Sequence, residues 1–344
     1  MNKYVLKTSH EIIDRCDISS FKNKTIMITG ANGLIGGFLT DFFHYLNTNH
    51  DYNIKLLLTS LSKTPDRILH LLDNKNIEYQ SIDLSQSFEF KFDKKIDYCF
   101  YCAGYAQPAK FLSNPIKTFS LNTTGVNLVF NNIYKQNKNA TCIFLSSSEV
   151  YTMNKNEKSH SEDDLISISM QHKRYPYVLG KVGGESIVNS FNDLGYKAKS
   201  VRVSLCYGPG VSMEDSRVMS ELVDKGINQP VIKLFDEGTA ARRYMHISDF
   251  CIALFNITLY GEFNTYNVGG TKETSIYEMA KCIGEVFNKS VQKGISNNNV
   301  SVSAPKRVWV SLDRYENEFE SIITKPFKEG LTEFINWYKD SIKK

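Results

Sequence analysis

From residue 24 onward, short apolar runs alternate with longer segments whose apolar residues recur every three or four positions. Runs at 25–29, 54–59, 78–82, 98–102, 141–146 and 197–203 have the length and bounding polar turns of buried strands. Segments 36–46, 115–135 and 177–194 carry helical spacing. Strand, helix and strand in repeated order predict an α/β architecture, a doubly wound parallel sheet with helices on both faces. Ligands on such sheets bind at the carboxyl ends of the strands. After Tyr207 the rhythm breaks. A loop at 208–216 leads into a helix, a short strand at 231–234 and a polar turn. Asp249 then opens an apolar helix at 250–259, and 265–268 predicts a further strand of the first sheet. A smaller C-terminal lobe, interwoven with the first, accounts for the remainder. Ahead of the sheet, Ser9 is placed to cap a short helix over 11–16.

Composition narrows the class. Hydrophobic residues make up 42% of the 344 and charged residues 23%, enough apolar material for a sizeable core and too much for disorder. The excess of 41 Lys+Arg over 37 Asp+Glu leaves +4, spread without a basic block, so nothing points to nucleic acid or to a membrane surface. No run of 18 apolar residues is present, and the first residues lack a signal-peptide pattern, so a cytoplasmic protein is expected. Seven cysteines at irregular spacing fit that compartment. Cys99 and Cys102 form a C-x-x-C inside an apolar run and read as buried core residues. No second cysteine or histidine pair completes a metal set, so no metal is expected.

The first chemical signal is Gly30-Ala31-Asn32-Gly33-Leu34-Ile35-Gly36, a G-x-x-G-x-x-G between a strand and a helix. In a Rossmann unit the first glycine makes the tight turn and the second admits a pyrophosphate to the backbone. The third allows close helix packing, and the free N–H groups of the helix start hold the anion. A dinucleotide is therefore expected. An NAD site usually places a carboxylate at the end of the second strand for the ribose 2′-hydroxyl. Here that end carries Thr59, Ser60 and Lys63, with no acid before Asp66. Hydroxyls with Lys63, or with Arg67, suit a 2′-phosphate. NADP(H) is preferred and NAD(H) stays open.

Two further segments carry the reaction. Ser146-Ser147-Ser148-Glu149-Val150-Tyr151 follows a strand, so its hydroxyls stand at a carboxyl end. Tyr177 and Lys181, four apart, share one helical face. A tyrosine so placed can exchange a proton with a substrate oxygen while the lysine stabilises its phenolate. Bringing a phenol from pKa about 10 to about 7 takes about 4 kcal/mol of differential stabilisation.

These markers together resemble the extended short-chain dehydrogenases/reductases, the nucleotide-sugar epimerase, dehydratase and decarboxylase group. The resemblance covers roughly 24–340. It implies an N-terminal extension at 1–23 and an NAD(P)-binding Rossmann domain at 24–206 plus about 246–269. A nucleotide-sugar-binding lobe would take about 207–245 plus 270–344. It implies Asp83 and Leu84 beside the adenine, Ala103 and Gly104 under the cofactor, and Asn122 in the following helix. Asn32, Leu34 and Ile35 join the glycines around the phosphates. Ser147 would hydrogen-bond the reacting oxygen, Tyr177 would act as acid or base, and Lys181 would also hold the nicotinamide ribose. Ser148, Glu149 and Leu205 would face the sugar, with Glu149 a further catalytic candidate. Arg217 and Arg242 would grip the diphosphate and nucleoside. His246 reads as structural. A homodimer is expected through the helices at 115–135 and 177–194.

Departures from the family pattern bear on the reaction. Sugar 4,6-dehydratases carry Asp-Glu after the catalytic hydroxyl, where this chain has Ser148-Glu149. Leu205 replaces the usual asparagine and Gly210 the common arginine. The resemblance and the missing ribose acid together favour an NADPH-dependent reductase of a nucleotide-linked keto sugar, in surface-polysaccharide precursor synthesis. The alternative is a redox-neutral NAD enzyme, a UDP-glucuronate decarboxylase-like protein or an epimerase. A cofactor-sensing module without catalysis is the remaining reading, and the presence of both Tyr177 and Lys181 counts against it.

Overall fold

The computed structural model describes residues 2–90, 92, 94–151, 159–212, 215–295, 309–322 and 325–342. Residues 213 and 214 of the expected 208–216 loop, and parts of the expected 270–344 segment, lie outside this set. The strands are β1 (Thr25–Thr29), β2 (Lys55–Ser60), β3 (Ile77–Ser81), β4 (Tyr98–Tyr101), β5 (Thr141–Ser147) and β6 (Lys197–Val203). After them come β7 (Leu205–Tyr207), β8 (Ile232–Lys233), β9 (Ala241–His246), β10 (Thr265–Val268), β11 (Glu273–Ser275) and β12 (Val291–Gln292). The helices are α1 (Lys3–Arg15), α2 (Leu34–Asn49), α3 (Pro108–Ser113), α4 (Pro115–Asn122), α5 (Thr124–Gln136) and α6 (Tyr175–Asp193). The remainder are α7 (Val218–Asn228), α8 (Ile247–Tyr260), α9 (Ile276–Phe287), α10 (Asp313–Phe319) and α11 (Phe327–Ile342).

Seven strands form one sheet in the order β10-β6-β5-β4-β1-β2-β3, every neighbouring pair parallel. The two-residue period of a strand decides which helices each side chain meets. Ile26, Ile28, Leu56, Leu58, Phe100, Ile143 and Leu145 point to one face, against Ile12 of α1, Phe42 of α2 and Phe250 of α8. Met27, Leu57, Cys99, Tyr101, Cys142 and Phe144 point to the other, against Val126 and Phe130 of α5 and Val188 of α6. Burial on both faces is why these strands read as continuous apolar runs. The expected Rossmann-like sheet is present, and 265–268 joins it as β10 beside β6.

Cys99 lies wholly inside this core, and burial pushes its thiol up. Beyond β6, the sheet β11-β9-β7 and the pair β12-β8 gather a separate apolar cluster with α7, α9 and α11, including Val223, Ile283, Phe334 and Ile335. Among the described residues, no helix is long and apolar enough to cross a membrane.

Two expected helices differ. The N-terminal helix starts at Lys3, because Asn2 accepts the Tyr4 N–H and caps it. Ser9, expected as the cap, is a buried residue inside that helix. The expected helix 115–135 is two helices, α4 and α5, parted at Thr123 with φ −118° and ψ −80°. Two successive β-branched residues, Thr123 and Thr124, hold helical geometry weakly there.

Candidate active site

The glycine turn is built by close approach. Gly30 has φ +66°, and a Cβ there would lie 2.9 Å from the Ala103 backbone. The Ala103 N–H also donates to Thr29 Oγ1 at 3.1 Å, so the chain after β4 is fastened to the end of β1. Gly33 caps α2 with no side-chain hydrogen bond to its first-turn N–H groups. That helix start retains donors for an anion.

Leu34 and Ile35 are half-buried and pack against two separate apolar clusters, while Asn32 Oδ1 accepts the Arg67 N–H at 3.0 Å. The Arg67 guanidinium pairs with Asp41. At the end of β2, Thr59 is buried with its hydroxyl unpartnered, and Ser60 Oγ bonds the Tyr79 hydroxyl at 2.7 Å. Lys63 is exposed. Asp83, expected at the adenine, is held by Lys117 at 2.7 Å, and Leu84 is buried beside it.

Helix α4 crosses α6 at glycines. A Cβ at Gly184 would come within 2.5 Å of the Asn122 carbonyl oxygen, so only glycine permits this approach. The crossing brings Asn122 to Lys181. Asn122 is fully buried, its amide nitrogen donates to the Thr118 carbonyl at 2.8 Å, and its Oδ1 has no partner. A Cβ on Gly104 would lie 3.6 Å from both Asn122 Oδ1 and Lys181 Nζ. A buried acceptor and a buried cation thus converge on exposed backbone, a donor set that fits the ribose of a nicotinamide nucleotide.

Ser147, Tyr177 and Lys181 are brought together, each about 7% exposed. Ser147 stands at the end of β5, accepts the Glu149 N–H at 3.2 Å and lies near the Tyr177 hydroxyl. Lys181 Nζ donates to the Leu145 carbonyl at 2.7 Å and lies 5.7 Å from the Tyr177 ring centroid. Burial pushes the Tyr177 phenol up, helped by the Glu149 carboxylate and opposed by the Ser147 hydroxyl and the Arg174 and Arg217 cations. Burial likewise draws the Lys181 ammonium down to about 7, with Cys102 and Glu185 opposing. Tyr177 therefore holds its proton here, in the form of an acid.

Two partners of this set were not anticipated. Arg174 grips Glu149 through two bonds, 2.9 Å and 2.5 Å, and stacks on Phe111 at 4.8 Å. Phe111 in turn stacks on Tyr177, centroids 4.6 Å apart and rings 12° from parallel. The available signal was Arg174 lying three residues before Tyr177, ahead of a helix that begins Tyr175-Pro176.

On the substrate side, Ser148 is buried, and Leu205 is half-buried in β7, registered against Tyr244. Arg217 is forked on Asp215, with Nε–Oδ2 at 2.9 Å and Nη2–Oδ2 at 2.5 Å. Arg242, in β9, donates to the Ala241 carbonyl at 2.7 Å, and burial lowers its guanidinium. His246 ends β9 and caps α8: its Nδ1 accepts the Ser248 N–H at 3.3 Å. Burial lowers it too, which gives it a structural place.

The Rossmann-like sheet and the Ser-Tyr-Lys site define an oxidoreductase of the extended short-chain dehydrogenase/reductase type. The chain belongs to the NAD-dependent epimerase/dehydratase family, whose model matches residues 26–269. A dTDP-4-dehydro-6-deoxy-D-allose reductase of a Streptomyces species is 24% identical over 325 residues, covering 92% of this chain and 96% of that protein. UDP-glucuronic acid decarboxylase 1 of Arabidopsis thaliana is 22% identical over 322 residues, covering 93% and 71%. Among solved structures, the UDP-glucuronic acid 4-epimerase of Bacillus cereus, in complex with UDP-glucuronic acid and NAD, superposes with TM-score 0.73. It is 20% identical, with 92% of this chain and 99% of that one covered.

Proposed function

We propose that this chain is an NADPH-dependent reductase of a nucleotide-linked keto sugar. The observation that carries this is Tyr177, buried beside Ser147 and Lys181 with its phenol pushed up by burial. Reduction of a carbonyl needs a proton donor at the oxygen, and Tyr177 is held as one. When bound, the nicotinamide supplies the hydride to the carbonyl carbon. Tyr177 gives its hydroxyl proton to the carbonyl oxygen, and the Ser147 hydroxyl polarises that oxygen by a hydrogen bond. Lys181, poised near 7, bears on the ring and on the ribose.

The residues that would hold the cofactor are Gly30, Gly33, Gly36, the Ala103–Gly104 backbone, Asn122 and Lys181. The end of β2 presents no carboxylate and leaves Lys63 exposed, which supports NADP(H). Arg217 and Arg242 would take the diphosphate and nucleoside. The similarity to a dTDP-linked keto-sugar reductase supports the substrate class. The exposed Ile116 and Leu194, on the helices expected to pair, support a homodimer.

A redox-neutral NAD reading, decarboxylase or epimerase, has the Arabidopsis relative in its favour. Against it, Glu149 is clamped by Arg174 instead of standing ready as a base. Two measurements separate these readings. Mass spectrometry of the purified protein identifies any retained nucleotide, and absorbance follows NADPH with dTDP- and UDP-linked 4-keto-6-deoxy sugars. NADPH oxidation with one of them is expected. Tightly retained NAD with no net NADPH oxidation by any of them would overturn the proposal.

A further inference from the structure

Four side chains from four places in the sequence form one chain of contacts: Glu149, Arg174, Phe111 and Tyr177. Arg174 is about 4% exposed and Phe111 about 1%, so neither sits there for solubility. A guanidinium has a planar fork and a flat face, and here both are used. The fork takes both oxygens of Glu149, and the face lies over Phe111. Phe111 also stacks on Tyr177, nearly parallel to it.

We infer that Arg174 is a positioning residue for Tyr177, fixing the phenol ring through Phe111 and neutralising the nearby Glu149 carboxylate through its fork. The inference rests on Tyr177 being the proton donor proposed above. The groups facing Tyr177 are Ser147 from β5, Glu149 from the turn at 148–151 and Phe111 from α3. Arg174 and Lys181 face it from α6 and the residue before it, and Arg217 from the start of α7. Of these, only Glu149 opposes charge on the phenol, and it is the group that Arg174 binds.

Removing Arg174 alone takes its fork off that carboxylate, beside a phenol that must give up its proton. Removing both members of the pair takes the opposition away with the compensation. A purely structural arginine does not behave so, because a second truncation in the same packing would add damage.

The test is a set of variants on the full chain: Arg174→Gln, Arg174→Lys, the double variant E149Q/R174Q, and Phe111→Leu. One readout is kcat and the sugar KM with NADPH. The other needs no substrate: the ring resonances of Tyr177 in tyrosine-labelled protein, assigned by their loss in Tyr177→Phe. Stacking on Phe111 displaces these signals, and Phe111→Leu supplies the unstacked reference. Arg174→Gln is expected to lower kcat at least about fivefold with KM nearly unchanged, and to move the Tyr177 signals toward that reference. The double variant is expected to recover most of the lost kcat. A double variant no better than Arg174→Gln, or Tyr177 signals unmoved in Arg174→Gln, would overturn the inference. Should Arg174→Gln not fold, Arg174→Lys decides. It keeps the charge and loses the fork and flat face, so the signals must move and kcat must fall; neither changing would refute it. Displaced signals in a protein that reduces no keto sugar would leave the positioning role standing and fault the reductase reading alone.

Discussion

Lys181 offers a sharp test, because its chemistry and its stability cost pull in opposite directions. An ammonium of ordinary pKa 10.5 is drawn down to about 7, principally by burial. The gap of 10.5 − 7, at 1.36 kcal/mol per unit, is about 5 kcal/mol of folding free energy forgone at and below neutral pH. Between about 7 and 10.5 the unfolded chain holds a proton that the folded chain lacks. Wild-type stability therefore rises with pH through that window, and the penalty disappears near 10.5. Lys181→Met keeps the length of the side chain and removes the charge. It also loses the bond to the Leu145 carbonyl and the contact with the Phe144 ring at 4.9 Å, together about 1–3 kcal/mol.

Below pH 7 the methionine variant should thus be more stable by about 2–4 kcal/mol while losing activity. The difference should shrink with rising pH and change sign between about 8.5 and 10. Urea unfolding of both proteins at fixed concentration, from pH 6.5 upward, measures it. A stability difference that stays flat across this range would refute the reasoning, whatever its size, because a depressed lysine must leave this pH signature.

Two further outcomes follow from the same geometry. Tyr177→Phe and Ser147→Ala should each lower kcat on the order of 10²–10⁴-fold with little change in melting temperature; a loss under tenfold for Tyr177→Phe would remove it from proton transfer. Gly30→Ala places a Cβ at positive φ and 2.9 Å from the Ala103 backbone, so it should destabilise the fold by about 1–3 kcal/mol and weaken cofactor binding. Calorimetric titration with NADPH checks the second part, and an unchanged Kd would detach the turn from the cofactor.

Much of the sheet could be read in advance because parallel strands covered on both faces leave uninterrupted apolar runs. Residues 197–203 and 265–268 match β6 and β10 without adjustment. Helix boundaries were less legible. Ser9 has a capping residue's chemistry yet lies buried one turn before an apolar stretch that α1 had already begun. Nothing local distinguished Asn2 as the cap. The Ser-Tyr-Lys set was readable because Tyr177 and Lys181 share a helical face, and Ser147 ends a strand of the same sheet. Arg174 and Phe111 escaped because a contact across residues 111, 149, 174 and 177 has no spacing rule. The Ser60 hydroxyl, read as suited to a 2′-phosphate, bonds the Tyr79 hydroxyl of the neighbouring strand, a cross-strand partner that local spacing does not reveal.

The pairing of charges in this pocket also bears on how a diphosphate would be held. Arg174 and Arg217 each carry an acid from the same chain, Glu149 and Asp215. Each pair is neutral at a distance, so the pocket attracts an anion less by field than by direct bonds made after entry. Asp215 uses Nε and Nη2 of Arg217, and its Oδ1 also accepts the Arg217 N–H at 2.9 Å. An arginine held through its backbone N–H and two guanidinium nitrogens has little rotamer freedom left to lose when a ligand arrives. The Nη1 edge takes no part in that fork. Binding there spares the ligand most of the ordering cost of an arginine while leaving Asp215 satisfied. Burial lowers the Arg242 guanidinium, with Tyr244 and the Glu149 and Glu273 carboxylates opposing. On this account Arg217 contributes mainly orientation to a diphosphate that binds at its Nη1 edge.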